Sequence, residues 1–323
     1  MRSILLIKTS SLGDVIHNLP VVSDLRRIWP EVAIDWVVEE GFAALPRLHP
    51  GVREVIPVAV RRWRKKLAQG GTWRELRGFV RTLRQTHYDL VIDTQGLVKS
   101  ALITRMAQGL RCGYSAEVAR ERWAAWAYDC RYTIPTNAHA VERNRWLAAA
   151  AAEYSLEQLP LRYGIHARVA APDWLPAAPF CVLLSATSRD DKLWPEAHWV
   201  ELGRSLHAQG LHVVLPAGSP RERERAERIA AAIPEALAAP ASDLDTLTAM
   251  LEAARAVVGV DTGLTHLAAA LGRPVVALYV ATDPGLTGVH AGPLAINLGG
   301  KGQVPPPEEV LNRLQGLLAR EKV

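Results

Sequence analysis

Short apolar runs and longer amphipathic stretches alternate along the whole chain. SILLI, AIDWVVE, EVIPVAV and DLVID in the first half, then FCVLLS, HVVLP, AVVGV and PVVALYV in the second, each read as a β-strand. Helical patterns separate them, and strand–helix alternation of this kind predicts parallel sheets with crossover helices. Several runs are apolar at nearly every position, as strands are when helices cover both faces of a sheet. The pattern therefore predicts an α/β, doubly wound parallel-sheet fold, occurring twice. Between the halves, ARVAAPDWLPAAP (residues 167–179) is rich in Ala and Pro and reads as a linker. This divides the chain into an N-terminal domain over 1–168 and a C-terminal domain over 169–323. After VPPPEEV, the residues Val310, Leu311, Leu314, Leu317 and Leu318 share one face of a last helix, which is expected to pack back on the N-terminal domain.

In open parallel sheets, ligands gather beyond the carboxyl ends of the strands, where exposed helix amides and dipoles favour anions. KTSSLGDV lies in that position after the first strand. There Gly13 permits close approach of the backbone and Asp14 supplies a carboxylate. Ser10, Ser11 and Asp14 equally suit a helix cap, and spacing alone leaves both roles open. In the second half, VVGVDTGLTHLAAALGRP ends a strand in Asp261, Thr262 and Gly263 and opens a helix carrying His266. SATSRDDKLWP follows FCVLLS in the same way and offers Thr187, Ser188, Arg189 and Lys192 as phosphate-seeking groups. No G-x-G-x-x-G fingerprint and no G-x-x-x-x-G-K-[ST] loop occurs, so NAD-dependent dehydrogenase and P-loop NTPase chemistry recede. SDLDT holds an Asp-x-Asp, Asp243 and Asp245, a pattern that serves divalent metals in some sugar transferases; the following LTAML favours a helix start.

Composition narrows the partner. A chain of 323 residues exceeds one ordinary core, and 49% hydrophobic with 22% charged residues is a globular balance. The 38 Lys+Arg against 33 Asp+Glu leave +5, which favours an anionic partner. The densest basic stretch is RRWRKK, with Arg61, Arg62, Arg64, Lys65 and Lys66 around Trp63 in a loop beyond a strand of the first sheet. Arg120 and Arg143 add to this charge, and with Trp63 the cluster suits an anionic amphiphile or a membrane surface. Nucleic acid is the rival partner, but no recognised binding motif accompanies the cluster. The remaining tryptophans, including Trp36, Trp73, Trp123, Trp126 and Trp146, read as core or packing residues. Cys112, Cys130 and Cys181 lack metal-ligand spacing and read as reduced thiols. MRSILLIKTSS is too short in its apolar part for a signal-peptide core, and no run approaches the about 18 apolar residues of a spanning helix, so a cytoplasmic location is expected.

The stretches KTSSLGDV, DWVVEEGFA, VIPVAVRRWRK, YDLVIDTQGLVKSA, HAVER, TSRDDKLWPEAHW, VDTGLTHLAAAL and TDPGL, in this order, resemble the lipopolysaccharide heptosyltransferases of glycosyltransferase family 9 nearly end to end. The first-strand loop and QGLVKSA follow the type I pattern; transfer to an already heptosylated core, as in types II and III, is the alternative. The resemblance implies a GT-B fold, two Rossmann-like domains facing across a cleft, the first for the acceptor and the second for the nucleotide sugar. It implies inverting, metal-independent transfer of heptose from ADP-L-glycero-β-D-manno-heptose to the Kdo region of Kdo2-lipid A, with no cofactor. The chain would be peripheral on the cytoplasmic face of the inner membrane and would take no nucleic acid. Carried onto matching positions, Asp14 is the general base. Ser10, Arg61, Arg62, Arg64 and Arg120 fall where the family meets its acidic acceptor. Thr187, Ser188 and Lys192 approach the donor diphosphate, Glu222 resembles the ribose contact, and Asp261, Thr262, Gly263 and His266 match the heptose and phosphate region. Ser185 and Ser188 depart from the His and Thr usual in the donor loop, and YVATDP replaces YGPTDP.

Overall fold

The computed structural model describes residues 1–66 and 68–320. They fall into two compact units, one over Met1–Gly164 and one beginning at Ile165. The first holds strands β1 (Ser3–Ile7), β2 (Ala33–Glu39), β3 (Val52–Val58), β4 (His87–Asp93), β5 (Gln108–Tyr114) and β6 (Cys130–Tyr132). The second holds β7 (Phe180–Leu184), β8 (His212–Leu215), β9 (Leu237–Ala238), β10 (Ala256–Val260), β11 (Val275–Tyr279) and β12 (Ala295–Gly299). Each unit is one six-stranded sheet in which every strand pairing is parallel.

The eight apolar runs picked out by pattern are all strands. The four strands that pattern misses are β5, β6, β9 and β12. QGLRCGY in β5 mixes Gly and Arg into its repeat, while β6, β9 and β12 are short or lie at sheet edges, where only part of the strand is covered. β1, β7, β10 and β11 are buried nearly throughout, as helix-covered central strands must be. The stretch 167–179 contains neither helix nor strand.

Strand order decides where a site can form. The first sheet runs β3-β2-β1-β4-β5-β6 and the second β9-β8-β7-β10-β11-β12, the same order in each unit's own count. Connections leave to one side from β1 and to the other after β4, so the crevice of the first unit opens beyond the carboxyl ends of β1 and β4. By the same rule, the crevice of the second opens beyond β7 and β10.

The second unit's core includes Trp194 and Trp199, stacked edge to face with ring centres 4.9 Å apart. The last helix, Pro307–Arg320, turns Val310, Leu314 and Leu317 into that core, and Leu311 and Leu318 pack against it. Trp36 is fully buried in β2, as expected, but Trp73, Trp123 and Trp126 are exposed, which corrects their assignment to packing. Ala124, Ala125 and Ala127 supply the inward side of the short 3-10 helix Arg122–Ala127, and its two tryptophans are left on the outer side. The three cysteines are unbridged. Among the described residues, no helix is long and apolar enough to cross a membrane.

Candidate active site

In the first unit the chain leaves β1 through Lys8, Thr9, Ser10 and Ser11 and enters the short helix Leu12–Ile16. Two contacts from neighbouring strands fix this turn. Trp36 of β2 donates its indole N–H to the Lys8 carbonyl at 3.1 Å, and Gln95, just beyond β4, accepts from the backbone N–H of Thr9 at 3.0 Å and of Ser10 at 3.2 Å. Asp14 then takes both roles that spacing left open. Its Oδ2 accepts from the Ser11 N–H at 2.9 Å, as a helix cap does, while Oδ1 accepts from the Arg120 guanidinium at 2.9 Å. Arg120 reaches it because the Glu121 N–H donates to the Gly96 carbonyl at 3.0 Å; Gly96 has φ +66, and a Cβ there would lie 3.2 Å from the Tyr114 ring.

Behind Asp14 lies Lys8, whose ammonium donates to the Thr94 carbonyl at 2.7 Å and to Asn144 at 3.3 Å. Burial pulls the Lys8 pKa down to about 8, against the attraction of Asp14. For Asp14 itself burial pushes upward, but Lys8, Arg120 and the Ser11 hydrogen bond outweigh it and hold the carboxyl at about 2. Ser10 accepts a 2.7 Å hydrogen bond from Lys99, whose pKa is lowered chiefly by burial and next by Arg61.

RRWRKK is split between tasks. Arg61 donates its backbone N–H to Glu39 and lies over the Phe42 ring, and with Lys65 and Lys66 it edges a groove of about 430 Å³. Arg62 is held in ion pairs with Glu40 at 3.0 Å and Glu75 at 2.8 Å. Trp63 packs edge to face on Phe79 and donates to Glu75 at 2.7 Å. Arg64, just past the helix Val60–Trp63, stays exposed.

In the second unit Asp261 follows β10 and is gripped from three sides. Its Oδ2 accepts from Lys192 at 2.6 Å and Thr282 at 2.8 Å, and His266 Nε2 stands 4.0 Å from Oδ1. Burial again pushes upward, and His266, Lys192 and Thr282 together drive the Asp261 pKa well below the carboxylate range. Thr187, beyond β7, donates to the Asp261 carbonyl at 3.0 Å, joining the two strand ends that flank the switch point. Thr262 and Gly263 begin the helix Gly263–Ala270, and Thr262 makes no side-chain capping bond. Thr265 donates to the Val260 carbonyl at 2.7 Å, and a Cβ on Gly259 would fall 2.2 Å from the Thr265 hydroxyl. Gly259 thus lets this helix seat tightly against β10.

Beside this cluster lies a hollow of about 310 Å³ lined by Thr187, Ser188, Glu222, Arg221, Arg225 and Arg228 among others. Glu222 accepts from the N–H groups of Gly218 and Ser219 and so also closes the start of the helix Pro220–Ala231. Asp243 accepts from the Thr246 N–H at 2.8 Å, the helix-start role that LTAML favoured. Among the described residues no group of three His, Cys, Asp or Glu is placed to hold a metal ion.

Of the expected groups, the first sheet brings together Ser10, Asp14 and Arg120, while Arg61 edges the neighbouring groove, Arg62 is taken up by Glu40 and Glu75 and Arg64 stays exposed; the second gathers Thr187, Ser188, Lys192, Glu222, Asp261, Thr262, Gly263 and His266. Sequence reasoning missed Lys8, Gln95, Lys99, Thr282 and the arginines of the second hollow. A lysine closing an apolar strand was the available signal for Lys8, and the Arg–Glu repeat of RERERAER hid Arg225 as a solvated face.

The family model of glycosyltransferase family 9 (heptosyltransferase) matches residues 76–308. Lipopolysaccharide heptosyltransferase 1 of Pseudomonas aeruginosa is 47% identical over 89% of this chain and 81% of its own length, and that of Escherichia coli K12 is 45% identical over 88% and 90%. Among solved structures, the E. coli heptosyltransferase WaaC with ADP superposes at a TM-score of 0.92 with 41% identity, covering 98% of this chain and 99% of that one. E. coli ADP-heptose lps heptosyltransferase II gives 0.77 with 26% identity over the whole of both chains. Two GT-B-type parallel sheets, a charged group at each switch point and these matches together make the chain a member of glycosyltransferase family 9, the heptosyltransferases.

Proposed function

We propose that the chain moves L-glycero-D-manno-heptose from ADP-heptose to the Kdo region of Kdo2-lipid A, with inversion and without a metal. The relatives named lipopolysaccharide heptosyltransferase 1 and the similarity to a heptosyltransferase solved with ADP-2-deoxy-2-fluoro heptose support the donor and the acceptor class. The observation that carries the mechanism is the Asp14 carboxylate, kept ionised between Lys8 and Arg120 at the first switch point.

An acceptor hydroxyl is a poor nucleophile at neutral pH and needs a base within hydrogen-bond reach as attack begins. Asp14 is that base. At a pKa of about 2 it is ionised at neutral pH, and the hydroxyl proton becomes transferable as the new C–O bond makes the oxygen acidic. Kdo carries a carboxylate, which competes with Asp14 for Arg120; acceptor binding therefore draws Arg120 away and strengthens the base. Ser10, Lys99, Arg61 and Arg64 receive the remaining acceptor anions. On the donor side, ADP gains negative charge as its glycosidic bond breaks, and Lys192, the Thr262 hydroxyl and the first N–H groups of the helix Gly263–Ala270 offset it. Asp261 keeps Lys192 in place, and Glu222 takes the ribose hydroxyls. A single displacement by the acceptor, with no enzyme nucleophile on the opposite face, inverts the anomeric centre. Because the acceptor is an amphiphile, the reaction takes place on the cytoplasmic face of the inner membrane.

The test supplies ADP-heptose with Kdo2-lipid A, or with an already heptosylated core, and follows ADP release in the presence and absence of EDTA. Release with the first acceptor alone, unaffected by EDTA and abolished in Asp14→Ala, is the expected result. Preference for the heptosylated core moves the chain to the type II or III reaction, and wild-type turnover in Asp14→Ala removes the base assignment.

A further inference from the structure

We infer that the outer face built by Trp123, Trp126, Leu102, Arg105 and Arg122 is the surface by which this chain lies on an anionic bilayer. The inference rests on the membrane-bound acceptor proposed above for its purpose, and on the following geometry for its place. A 3-10 helix has 3.0 residues per turn, so residues three apart eclipse one another. Trp123 and Trp126 have that spacing in the helix Arg122–Ala127, and they stand out 69% and 49% exposed. The inward side is fixed: Ala124, Ala125 and Ala127 pack with Ala101 and Tyr128, which clamps the turn to the helix Val98–Met106. That second helix adds Leu102, 46% exposed, and Arg105 three residues on.

Each tryptophan carries its own cation. The Arg122 guanidinium lies 5.2 Å from the Trp123 ring centre, and that of Arg105 5.8 Å from Trp126. An indole with an arginine on its face suits the headgroup layer, where the ring enters the acyl boundary and the cation stays among phosphates. The carboxylates of the neighbourhood are spent elsewhere. Glu121 accepts the Val98 N–H at 2.6 Å, and Asp129 is bound in a fork by Arg111 at 2.8 and 2.6 Å. The face is therefore apolar and positive, complementary to an anionic membrane. A two-fold pairing with a second copy would instead press these arginines against each other. Arg120, which holds Asp14, lies three residues before Trp123, so a bilayer on this face sits next to the strand ends where a lipid-linked sugar would be bound.

The test compares the full chain with Trp123→Ser/Trp126→Ser and with Arg105→Gln/Arg122→Gln in co-sedimentation with vesicles of phosphatidylglycerol and phosphatidylethanolamine, or of phosphatidylcholine alone. All four positions are exposed, and circular dichroism with ADP affinity checks that folding is intact. The parent should partition to the anionic vesicles. The tryptophan variant should bind about tenfold more weakly or worse, and each lost arginine should cost about fivefold. Turnover on vesicle-embedded acceptor should fall in step, while turnover on deacylated, soluble acceptor stays at the parental level. Equal partitioning of parent and variants, failure of the parent to bind, or a dimer in sedimentation velocity that the tryptophan variant dissolves would overturn the inference. If the parent fails on soluble acceptor yet binds vesicles through this face, the proposed reaction falls and the docking surface stands.

Discussion

Asp14 and Asp261 flank the switch points of two sheets with the same strand order, and both are held ionised by a cation, yet their surroundings differ. The two side chains are almost equally shielded, at 16% and 17% exposed. What differs is the partner. Lys192 is 18% exposed and shares Asp261 with Thr282 and His266, whereas Arg120 is 45% exposed and reaches Asp14 from a surface turn. A carboxylate gripped only by shielded donors is fixed in place, whereas Asp14 keeps Lys8 and the Ser11 N–H behind it and has in Arg120 one half-exposed partner that substrate can displace. The same residue type in corresponding crevices thus has a fully shielded set of partners in one unit and a half-exposed one in the other, and the second is the one proposed as the base.

The sharpest way to break this contrast is to neutralise each carboxylate in turn. Asp14→Asn should lower heptose transfer about 10³-fold, within the range of a lost general base, and leave ADP affinity within about twofold, as measured by ADP release and calorimetry. Asp261→Asn should weaken ADP itself; equal loss of ADP affinity in both variants would erase the distinction. Next in size is a change that touches neither site. Arg145 is buried and forks onto the equally buried Asp24, joining the helix Ala140–Ala152 to Leu19–Ile28. Asp24→Ala should cost the first unit about 3–5 kcal/mol in urea unfolding by stranding that cation, with ADP binding unchanged.

Lys192→Met should cut transfer about 10²-fold and weaken ADP as well, because it removes charge where the leaving group gains it. A smaller effect lies in stability against pH. Asp14 has its pKa lowered in the fold from the ordinary 3.8 to about 2, so its contribution is complete above 3.8 and is lost as pH falls through 2. That contribution is about 2 kcal/mol, and it should be missing from acid-unfolding curves of Asp14→Asn. Last, Lys8→Met removes the cation with the stronger coulombic pull on Asp14, so the acid limb of the pH–rate profile should move up by roughly one unit. An unmoved limb would give Arg120 the whole effect.

The α/β class and eight of the strands were legible in the sequence because covered strand faces write themselves as local apolar runs. Asp14, Asp261 and the Thr187–Lys192 loop were legible because each follows such a run at a helix start. What sequence alone could not supply are the partners from distant parts of the chain. Arg120 is 106 residues from Asp14, and Lys192 is 69 from Asp261. RRWRKK reads as one basic cluster, yet Glu40, Glu75 and Phe79 divide it by holding Arg62 and Trp63 in place. Trp36 and Trp123 likewise share one residue type, buried in a central strand in one case and turned outward by a three-alanine contact in the other. Periodicity reports which side of an element is covered over a few residues. Sheet order and helix packing decide which charges then meet, and that pairing sets the protonation and freedom of each carboxylate.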